Sequence, residues 1–430
     1  MTFSTTSRRL GTLAALALLS ATSFAQTVDN KPEVKAQVLD RVNALITKRA
    51  YVPGLDLAKW KAFVTDQKTK LDDAKDDNEF AYVINEALTK FGASHMALMT
   101  PKATDVRNTN SFVGIGITQQ KTEEGTLILR TYPDGPAAKA GLVPGDVIVK
   151  VEGQPADGPK GIAGAEGTEV HLSVKRSSGK TDDVTLKRGK FSTIQPEQLT
   201  EVDKSTATLT VSTFDLSYDA KNVEALMLKA QKYPNLVLDL RDNGGGAVVN
   251  LQHLLGLFTS ADKPFGTFVS RRLAKDYVEK TGGQEKDVVK VAAWSRTNDD
   301  WSDQQQAPFK NRNLPVYKGH VAVLVNKYSY SAAEICAAAL RDLVGAQVVG
   351  TKSGGAVLVA LMAPASNGFT MEYPFMDYVT VTGQRIEGNG VAPTVEVEDP
   401  KYRLANGKDP VIDKAAEVLE KAAAKRVSVR

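Results

Sequence analysis

Two short apolar runs, at residues 236–238 and 321–325, constrain the fold of this chain most strongly. Each reads as a strand that is buried on both faces, because neither alternates with polar residues. Such strands are typical of parallel sheets that are covered by helices on both sides. Strand and helix patterns alternate from residue 207 to residue 350, which predicts an α/β core with a mixed or parallel sheet and crossover helices.

Each apolar run leads into a segment that could carry chemistry. The first continues into the glycine-rich turn at residues 239–246, and the second into Ser-Tyr-Ser-Ala-Ala-Glu at residues 329–334, where a small-residue helix begins. Ligands bind at the carboxyl ends of the strands in open α/β sheets. The two segments are therefore predicted to form one active site, with a serine at the helix start as the candidate nucleophile.

Length and composition indicate an ordinary globular protein with several domains. The chain has 430 residues, of which 42% are hydrophobic and 24% are charged, which is enough material for two or three domains. The net charge of +4 is small, and basic residues are interleaved with acidic ones. No nucleic-acid partner is predicted from this pattern.

The first 25 residues resemble a secretory signal. Arg8 and Arg9 precede a short apolar stretch at 10–19, and Ser-Phe-Ala at 23–25 predicts cleavage after Ala25. No stretch approaches the roughly 20 apolar residues of a spanning helix, so we expect no stable membrane insertion and an exported protein, periplasmic or secreted. Cys336 is the only cysteine, which excludes an internal disulfide and predicts a buried apolar residue.

The remaining sequence divides into four parts by its periodicity and composition. We expect a helical N-terminal domain at 26–110, a strand-rich domain at 111–188, the α/β core at 189–400 and a C-terminal helix at 401–430. Residues 271–312 are polar and weakly periodic. They predict an insertion or a mobile segment over the sheet, outside its core.

The strand-rich part resembles a PDZ domain. The resemblance rests on Gly-Ile-Gly-Ile at residues 114–117 and on Gly-Leu-Val-Pro-Gly-Asp-Val-Ile at residues 141–148. It implies that Gly114, Ile115, Gly116 and Ile117 offer backbone N–H groups to the terminal carboxylate of a peptide, which adds to the sheet as a strand. The implied partners are polypeptides with exposed C-terminal tails.

The following part resembles the tail-specific, or C-terminal processing, serine peptidases and the related tricorn protease core. The resemblance rests on the PDZ-like part, then Leu-Asp-Leu-Arg-x-Asn-x-Gly-Gly, then the Ser-x-Ser-Ala-x-Glu helix. It implies a mixed-sheet core of the ClpP/crotonase type in a multidomain α/β (α+β) protein. It also implies Ser331 as the nucleophile and the N–H groups of Gly245 and Ala332 as the oxyanion hole, where a helix start and a glycine turn supply donors.

The chain departs from the processing peptidases at the residue that activates serine. Those enzymes use a lysine, and the aligned position here is Ala356; the position of the assisting glutamine is Ala360. Lys352 precedes the Gly354-Gly355 turn and reads as a solvated loop charge. The chain therefore resembles the lysine-free branch, which includes the tricorn core and interphotoreceptor retinoid-binding protein-like domains.

A serine without a lysine needs another base, and the chain has four histidines. His171, His253 and His320 have simple structural explanations on predicted strands or a helix. His95 ends the helical part in a segment that resembles the Asp-x-His-Thr of tricorn-like relatives, although Ala93 and Met96 replace its aspartate and threonine. Glu387 lies in a segment that resembles their Glu-Gly-x-Gly-Val-x-Pro-Asp turn. The resemblance thus implies a triad of Ser331, His95 and Glu387.

Several alternatives stay open at this stage. Ser331 and Glu334 could form only a capping box, and the glycine run only a tight turn. The protein could be a serine endopeptidase, a catalytically inactive PDZ scaffold that kept the peptidase fold, or a carrier of apolar ligands. No metal-ligand spacing, phosphate loop or dinucleotide motif is present in the sequence, so no metal and no cofactor are predicted. The oligomeric state is not predicted.

Overall fold

The computed structural model of the chain describes residues 31–158, 161–309, 314–398 and 409–427. The predicted signal peptide at 1–25, with its cleavage site, lies outside these residues. Among the helices of the described part, none combines the length and the apolar character needed to cross a membrane.

The described residues form twelve α-helices and nineteen strands. The helices are α1 (Pro32–Ala44), α2 (Trp60–Thr65), α3 (Lys68–Asp73), α4 (Asp77–Phe91), α5 (Pro101–Thr109), α6 (Pro136–Lys139), α7 (Ala220–Ala230), α8 (Val248–Leu255), α9 (Arg271–Thr281), α10 (Val288–Ser295), α11 (Ala332–Val344) and α12 (Pro410–Val427). The strands are β1 (Ala97–Met99), β2 (Ser111–Gly114), β3 (Ile117–Thr122), β4 (Gly125–Thr131), β5 (Val147–Val151), β6 (Gln154–Pro155), β7 (Glu169–Lys175), β8 (Thr181–Lys187), β9 (Gly189–Ser192), β10 (Gln198–Glu201), β11 (Thr206–Thr210), β12 (Asn235–Asp239), β13 (Gly266–Ser270), β14 (Gln305–Gln306), β15 (His320–Val325), β16 (Gln347–Gly350), β17 (Val359–Pro364), β18 (Thr370–Thr380) and β19 (Val395–Glu396).

Helices α1 to α4 form the N-terminal part, and α4 shows why. It begins at Asp76, whose carboxylate accepts hydrogen bonds from the N–H groups of Asn78 and Glu79, both at 2.9 Å. It ends at Gly92, which has a φ of 88°. The apolar side of these helices packs on β18 and on the residue before it, Phe369, whose ring lies edge-on to Phe80. The helical part therefore rests on the peptidase-like core.

The PDZ-like part has a sheet and a core of its own. Its strands lie in the order β3-β4-β5-β7-β8, with β6 beside β5, and its buried cluster includes Ile128, Ile148 and Val170. The chain enters this part along β2 and leaves it along β9, and those two strands pair antiparallel. A short two-stranded ribbon thus connects the part to the rest of the molecule.

The central sheet has six strands in the order β10-β11-β12-β15-β16-β19. All neighbours from β11 onward are parallel, and β10 pairs antiparallel with β11. Every residue of β12 is buried, because α7, α8 and α11 cover one face while α12 covers the other. This sheet confirms the predicted α/β core with crossover helices.

A second sheet lies between the central core and the N-terminal helices. Its strands follow the order β1-β18-β13-β14, with β17 also paired to β18. Strand β18 contributes Met371 and Tyr373 to the helical cluster and Tyr378 to the central core. Strand β1, which follows the last helix of the N-terminal part, pairs with β18 and forms one edge of this second sheet.

The prediction that residues 271–312 are mobile was wrong for most of that segment, whereas an insertion outside the main core stays a prediction. Helices α9 and α10 occupy it and bury Leu273, Tyr277, Val288 and Val291 in a cluster with Val269 of β13. Apolar residues on one side of α9 are few and are surrounded by charged ones, so the segment reads as polar although it packs. Residues 310–313 lie outside the described part.

A buried ion network joins the central sheet to the C-terminal helix. The Arg241 side chain has no exposed surface; its guanidinium donates to Asp239 Oδ2 and to Asp409 Oδ2, both at 2.7 Å. Asp409 also accepts the N–H groups of Val411 and Ile412 at the start of α12. Arg241 lies in the glycine-rich turn and Asp409 directly precedes α12. The ion pair between them therefore connects that turn to the C-terminal helix.

Candidate active site

Ser331 occupies a sharp turn between β15 and α11. Its φ of 54° and ψ of −120° lie in a region that costs free energy for any residue with a side chain. A strained strand-to-helix turn of this kind exposes a nucleophilic side chain. The preceding Ser329 supports the turn, because its hydroxyl donates to the Leu240 carbonyl at 2.8 Å and accepts the Asn326 N–H at 3.0 Å.

The glycine-rich turn packs directly against Ser331. A Cβ atom added to Gly245 would lie 2.6 Å from the Cβ of Ser331 and 2.9 Å from the Tyr330 carbonyl oxygen. Gly245 also has a φ of 91°. Only glycine satisfies both conditions, so the sequence of this turn sets how closely it approaches the candidate nucleophile.

The two predicted oxyanion-hole donors are in different states. The same added Cβ would lie 3.0 Å from the Ala332 nitrogen, so Gly245 and Ala332 are neighbours. Within the described residues, the Ala332 N–H has no hydrogen-bond acceptor. The Gly245 N–H, by contrast, donates to Asn243 Oδ1 at 2.8 Å. Ala332 therefore presents an open donor beside Ser331, while the Gly245 donor is occupied.

Asn243, which was not singled out in the sequence, joins three parts of the site. Its side-chain amide donates to the Val211 carbonyl at 2.8 Å, and its backbone carbonyl accepts the Tyr330 N–H at 2.9 Å. Together with the bond to Gly245, these contacts connect the residue after β11, the glycine turn and the serine turn. The signal in the sequence was the place of this asparagine in the Leu-Asp-Leu-Arg-x-Asn-x-Gly-Gly motif.

Glu387 and His95 come together through a residue that the sequence reading did not assign. The Ser94 hydroxyl donates to Glu387 Oε2 at 3.1 Å and lies 2.9 Å from His95 Nδ1. Because that hydroxyl has one hydrogen, given to Glu387, His95 Nδ1 must be the donor of the other bond. His95 Nε2 then carries the free lone pair that a base needs. Adjacency to His95 was the signal that could have found Ser94.

Burial affects the protonation of His95. Burial lowers the pKa of its imidazole, while the negative charge of Glu372 acts in the opposite direction. Glu372 lies opposite Ala97 where β1 pairs with β18. The ring therefore favours its neutral form over more of the pH range than an exposed histidine does.

One loop connects the two halves of the site. The Ala356 carbonyl accepts the Ser331 N–H at 2.9 Å, and the next residue, Val357, donates its N–H to Glu387 Oε2 at 2.6 Å. Across the described residues, no hydrogen bond joins the His95 ring to the Ser331 hydroxyl. The structure thus brings Ser331, Ala332 and Gly245 into one group. His95 and Glu387 form a second group. The loop contacts the first group at Ala356 and the second at the next residue, Val357.

The other lysine and histidine candidates lie where their structural explanations expected them. Lys352 is exposed, and Ala356 contributes only its backbone. His171 on β7 contacts the Thr185 hydroxyl, and His253 on α8 lies between Tyr218 and Glu224. Among the described residues, no three His, Cys, Asp or Glu side chains cluster as metal ligands would.

The predicted peptide-binding residues lie at the start of the PDZ-like sheet. Gly114 ends β2, Ile117 begins β3, and the buried Ile115 accepts the Ala137 N–H at 2.7 Å. Gly116 has a φ of 79°, and a Cβ there would lie 2.7 Å from Gly135 Cα. Among the described strands, β3 pairs with β4 alone, which leaves its other edge open in this part of the structure.

Two ion pairs connect this end of the molecule to the glycine turn. Arg130 of β4 reaches Asp242 at 3.4 Å and Gln195 at 2.8 Å. Arg107 of α5 reaches Asp215 at 2.8 Å, and the backbone around Asp215 contacts Gly246. The PDZ-like part therefore contacts the glycine turn through Arg130, and helix α5 contacts the segment next to that turn through Arg107.

Comparison with known proteins agrees with this architecture. The chain is 29% identical over 300 residues to a "Probable CtpA-like serine protease" of Staphylococcus haemolyticus, which covers 68% of this chain. It is 30% identical over 303 residues, 69% of this chain, to the protein of the same name in Staphylococcus epidermidis. The matches span 54% and 55% of those two relatives, little more than half of their length.

Solved structures show the same fold at lower identity. An S41 protease structure from Bacteroides fragilis superposes with a TM-score of 0.55 at 15% identity, over 76% of this chain and 86% of that one. The structure titled mature CPAF complexed with lactacystin gives 0.51 at 16% identity, over 91% and 98%. Residues 127–176 match the PDZ domain and residues 205–397 match peptidase family S41. The chain therefore carries a PDZ domain followed by a domain that belongs to peptidase family S41.

Proposed function

We propose that the protein is a serine endopeptidase that cleaves peptide bonds through an acyl-enzyme on Ser331. The observation that supports this most directly is the strained turn of Ser331 beside the open N–H of Ala332. A nucleophile next to an unoccupied donor is what an acyl transfer requires. The family to which residues 205–397 belong and the names of the relatives agree with this chemistry.

In this proposal His95 is the base. Its Nε2 takes the proton of Ser331 as the serine oxygen attacks the scissile carbonyl, and the oxyanion forms against the Ala332 N–H. His95 then gives the proton to the leaving amine as the carbon–nitrogen bond breaks. Water, activated by the same nitrogen, releases the acyl group. Because catalytic hydrogen bonds often tighten only when substrate binds, the proposal expects Nε2 and the serine hydroxyl to meet in the substrate complex.

Ser94 and Glu387 serve the imidazole in this scheme. The carboxylate of Glu387 accepts from Ser94, which accepts from His95 Nδ1. This relay holds the tautomer with a free Nε2 and stabilises the imidazolium that forms during attack. Glu387 thus acts through a hydroxyl, as an orienting group.

For the Gly245 N–H, the proposal keeps its predicted role as second oxyanion donor. Its present acceptor, Asn243 Oδ1, belongs to the same turn. An oxyanion is a stronger acceptor than a neutral amide oxygen, so the charged intermediate would attract this N–H away from Asn243. The substrate complex would then have two donors.

We propose that the PDZ domain captures the C-terminal tail of the polypeptide substrate. The open edge of β3 can add a strand, and Gly114, Ile115, Gly116 and Ile117 would receive the terminal carboxylate. The contact of Arg130 with Asp242 supports a further role, in which the domain affects access to the glycine turn. Export, directed by residues 1–25, is part of this proposal.

A second candidate is a PDZ scaffold that has lost catalysis. It is favoured by the occupied Gly245 donor and by Ala356 in place of the lysine. Such a protein would bind tails and leave Ser331 unreacted.

A fluorophosphonate probe distinguishes the two candidates. We expect the native protein to form a phosphorus–oxygen bond at Ser331 and release fluoride, while Ser331→Ala and His95→Ala are not labelled. Matched controls are Ser177→Ala and His171→Ala, both exposed in the PDZ domain, which should label as the native protein does. A folded native protein that is not labelled at any pH would support the scaffold.

A further inference from the structure

The side chain of Glu334 makes more contacts than a helix cap needs. It has no exposed surface, and its two oxygens accept four hydrogen bonds. Oε2 accepts the N–H groups of Ser331 at 3.1 Å and of Ala356 at 3.0 Å. Oε1 accepts the Gly355 N–H at 2.7 Å and the Ser353 hydroxyl at 2.5 Å. A capping box explains only the first of these bonds.

The four donors fit an ionised carboxylate. Every bond is donated to the carboxylate, so a proton on either oxygen would point at a donor. On balance the pKa of Glu334 is raised, because burial outweighs the hydrogen bonds from Ser353, Gly355, Ala356 and Ser331, which lower it. An amide in this place would turn its NH2 group toward N–H donors. The four donors therefore need two oxygens that accept two hydrogen bonds each, and a carboxylate supplies them.

The loop beyond Glu334 gives its contacts a wider effect. Four successive backbone N–H groups, at residues 355–358, donate to two carboxylates. Gly355 and Ala356 donate to Glu334, while Val357 and Leu358 donate to Glu387 at 2.6 and 3.2 Å. Because Glu334 holds the first two of these residues, it also determines where the next two present their N–H groups to Glu387.

Strain at Ser331 supplies the second argument. The turn conformation of Ser331 costs on the order of 1–3 kcal/mol unless its surroundings hold it. Its N–H is shared between Glu334 Oε2 and the Ala356 carbonyl, and both belong to this network. Without the carboxylate, one of the two acceptors that hold the turn is lost.

We infer that Glu334 is a positioning residue that keeps Ser331 in its strained turn and fixes the loop carrying the N–H donors of Glu387. This inference rests on the proposed function, since it assigns Glu334 a part in the same reaction. Ala356 stands at the position where related peptidases have lysine. Its N–H donates to Glu334 and its carbonyl accepts the Ser331 N–H, so its backbone links the buried carboxylate to the nucleophile.

Glu334→Gln tests the inference, with Ser353→Ala as its matched control. The glutamine keeps the size of the side chain but turns N–H donors toward the N–H donors of the loop. Ser353→Ala removes one of the four bonds to Glu334, together with the bond from the Val391 N–H, and leaves those of Ser331 and Ala356. We expect the second-order rate of fluorophosphonate labelling to fall about tenfold or more in Glu334→Gln and less than about threefold in Ser353→Ala, for equal amounts of folded protein. Thermal unfolding measures the folded fraction.

Equal losses of labelling in the two variants, or a native rate in Glu334→Gln, would overturn the inference. Crystal structures of the native protein and of Glu334→Gln give a readout that does not need activity. We expect the φ of Ser331 to leave its value of 54° or residues 353–358 to shift. An unlabelled native protein would remove the proposed function alone, and an unchanged Ser331 turn in Glu334→Gln would remove the positioning role.

Discussion

The two turns that carry Ser331 and His95 share a positive φ but have very different surroundings. Both residues have positive φ, 54° and 56°. The Ser331 turn lies on the central sheet and has a buried carboxylate, a glycine turn and Asn243 around it. The His95 turn lies before the three-residue edge strand β1, and one hydroxyl orients its ring.

The difference indicates that the position of His95 depends on contacts that the Ser331 turn does not share, although the loop at residues 355–358 links Glu387 to Glu334. The serine half is over-determined by contacts within the main core, so its geometry should persist in the absence of substrate. The histidine half depends on how the helical part sits on β18. Movement of that part changes the distance from base to nucleophile without disturbing the serine turn.

Gly245→Ala should have the largest effect, because it breaks the serine half by collision. The new methyl group would lie 2.6 Å from Ser331 Cβ, at a φ of 91°. We expect labelling to fall by about a hundredfold or more and stability to fall by about 2 kcal/mol or more. Labelling kinetics and denaturant unfolding measure the two effects.

Gly179→Ala is the control for that substitution. Gly179 has a φ of 86° but nothing lies within 4 Å of its added Cβ. It should lose only about 1 kcal/mol from backbone strain, and label normally. Similar labelling in both variants would contradict the close packing described for the serine half.

Ser94→Ala should have an intermediate effect, confined to the histidine half. It removes the link between His95 and Glu387 while leaving the serine turn intact. We expect labelling to fall about ten- to a hundredfold with a change in unfolding free energy of about 1 kcal/mol or less. Thr185→Ala removes the same kind of contact from the exposed His171, and should change neither quantity. Native labelling of Ser94→Ala would exclude the relay.

The pH profile should give the smallest and most specific signal. A base must be neutral, and burial lowers the pKa of His95, so labelling should rise with pH and reach half its maximum below about pH 6.5. Glu372→Gln removes a charge that favours the imidazolium, so it should move the midpoint lower still. Glu279→Gln, on the exposed side of α9, should leave the midpoint unchanged. A midpoint well above neutrality would point to another base.

The sequence predicted the serine half better than the histidine half for a physical reason. Buried strands with glycine and serine turns have local signatures, so β12, β15 and the two turns could be read directly, while the choice of Gly245 and Ser331 came from the family resemblance. Ser94 acts across 293 positions on Glu387, and no local pattern reports such a contact. Helix α9 was missed because its few buried residues are diluted by charged ones, and α10 because its apolar run is only eight residues long. Catalytic roles of the site residues remain predictions.

The triad of Arg241, Asp239 and Asp409 has a practical consequence for anyone who engineers this chain. Deleting residues from 409 onward would withdraw one of the two carboxylates that neutralise a guanidinium with no exposed surface, beside the glycine turn. It would also uncover Val237 and Leu324, against which α12 packs. A purification tag should therefore be added after residue 427 and should not replace α12. Removing α12 would leave the charge of Arg241 partly uncompensated next to the glycine turn.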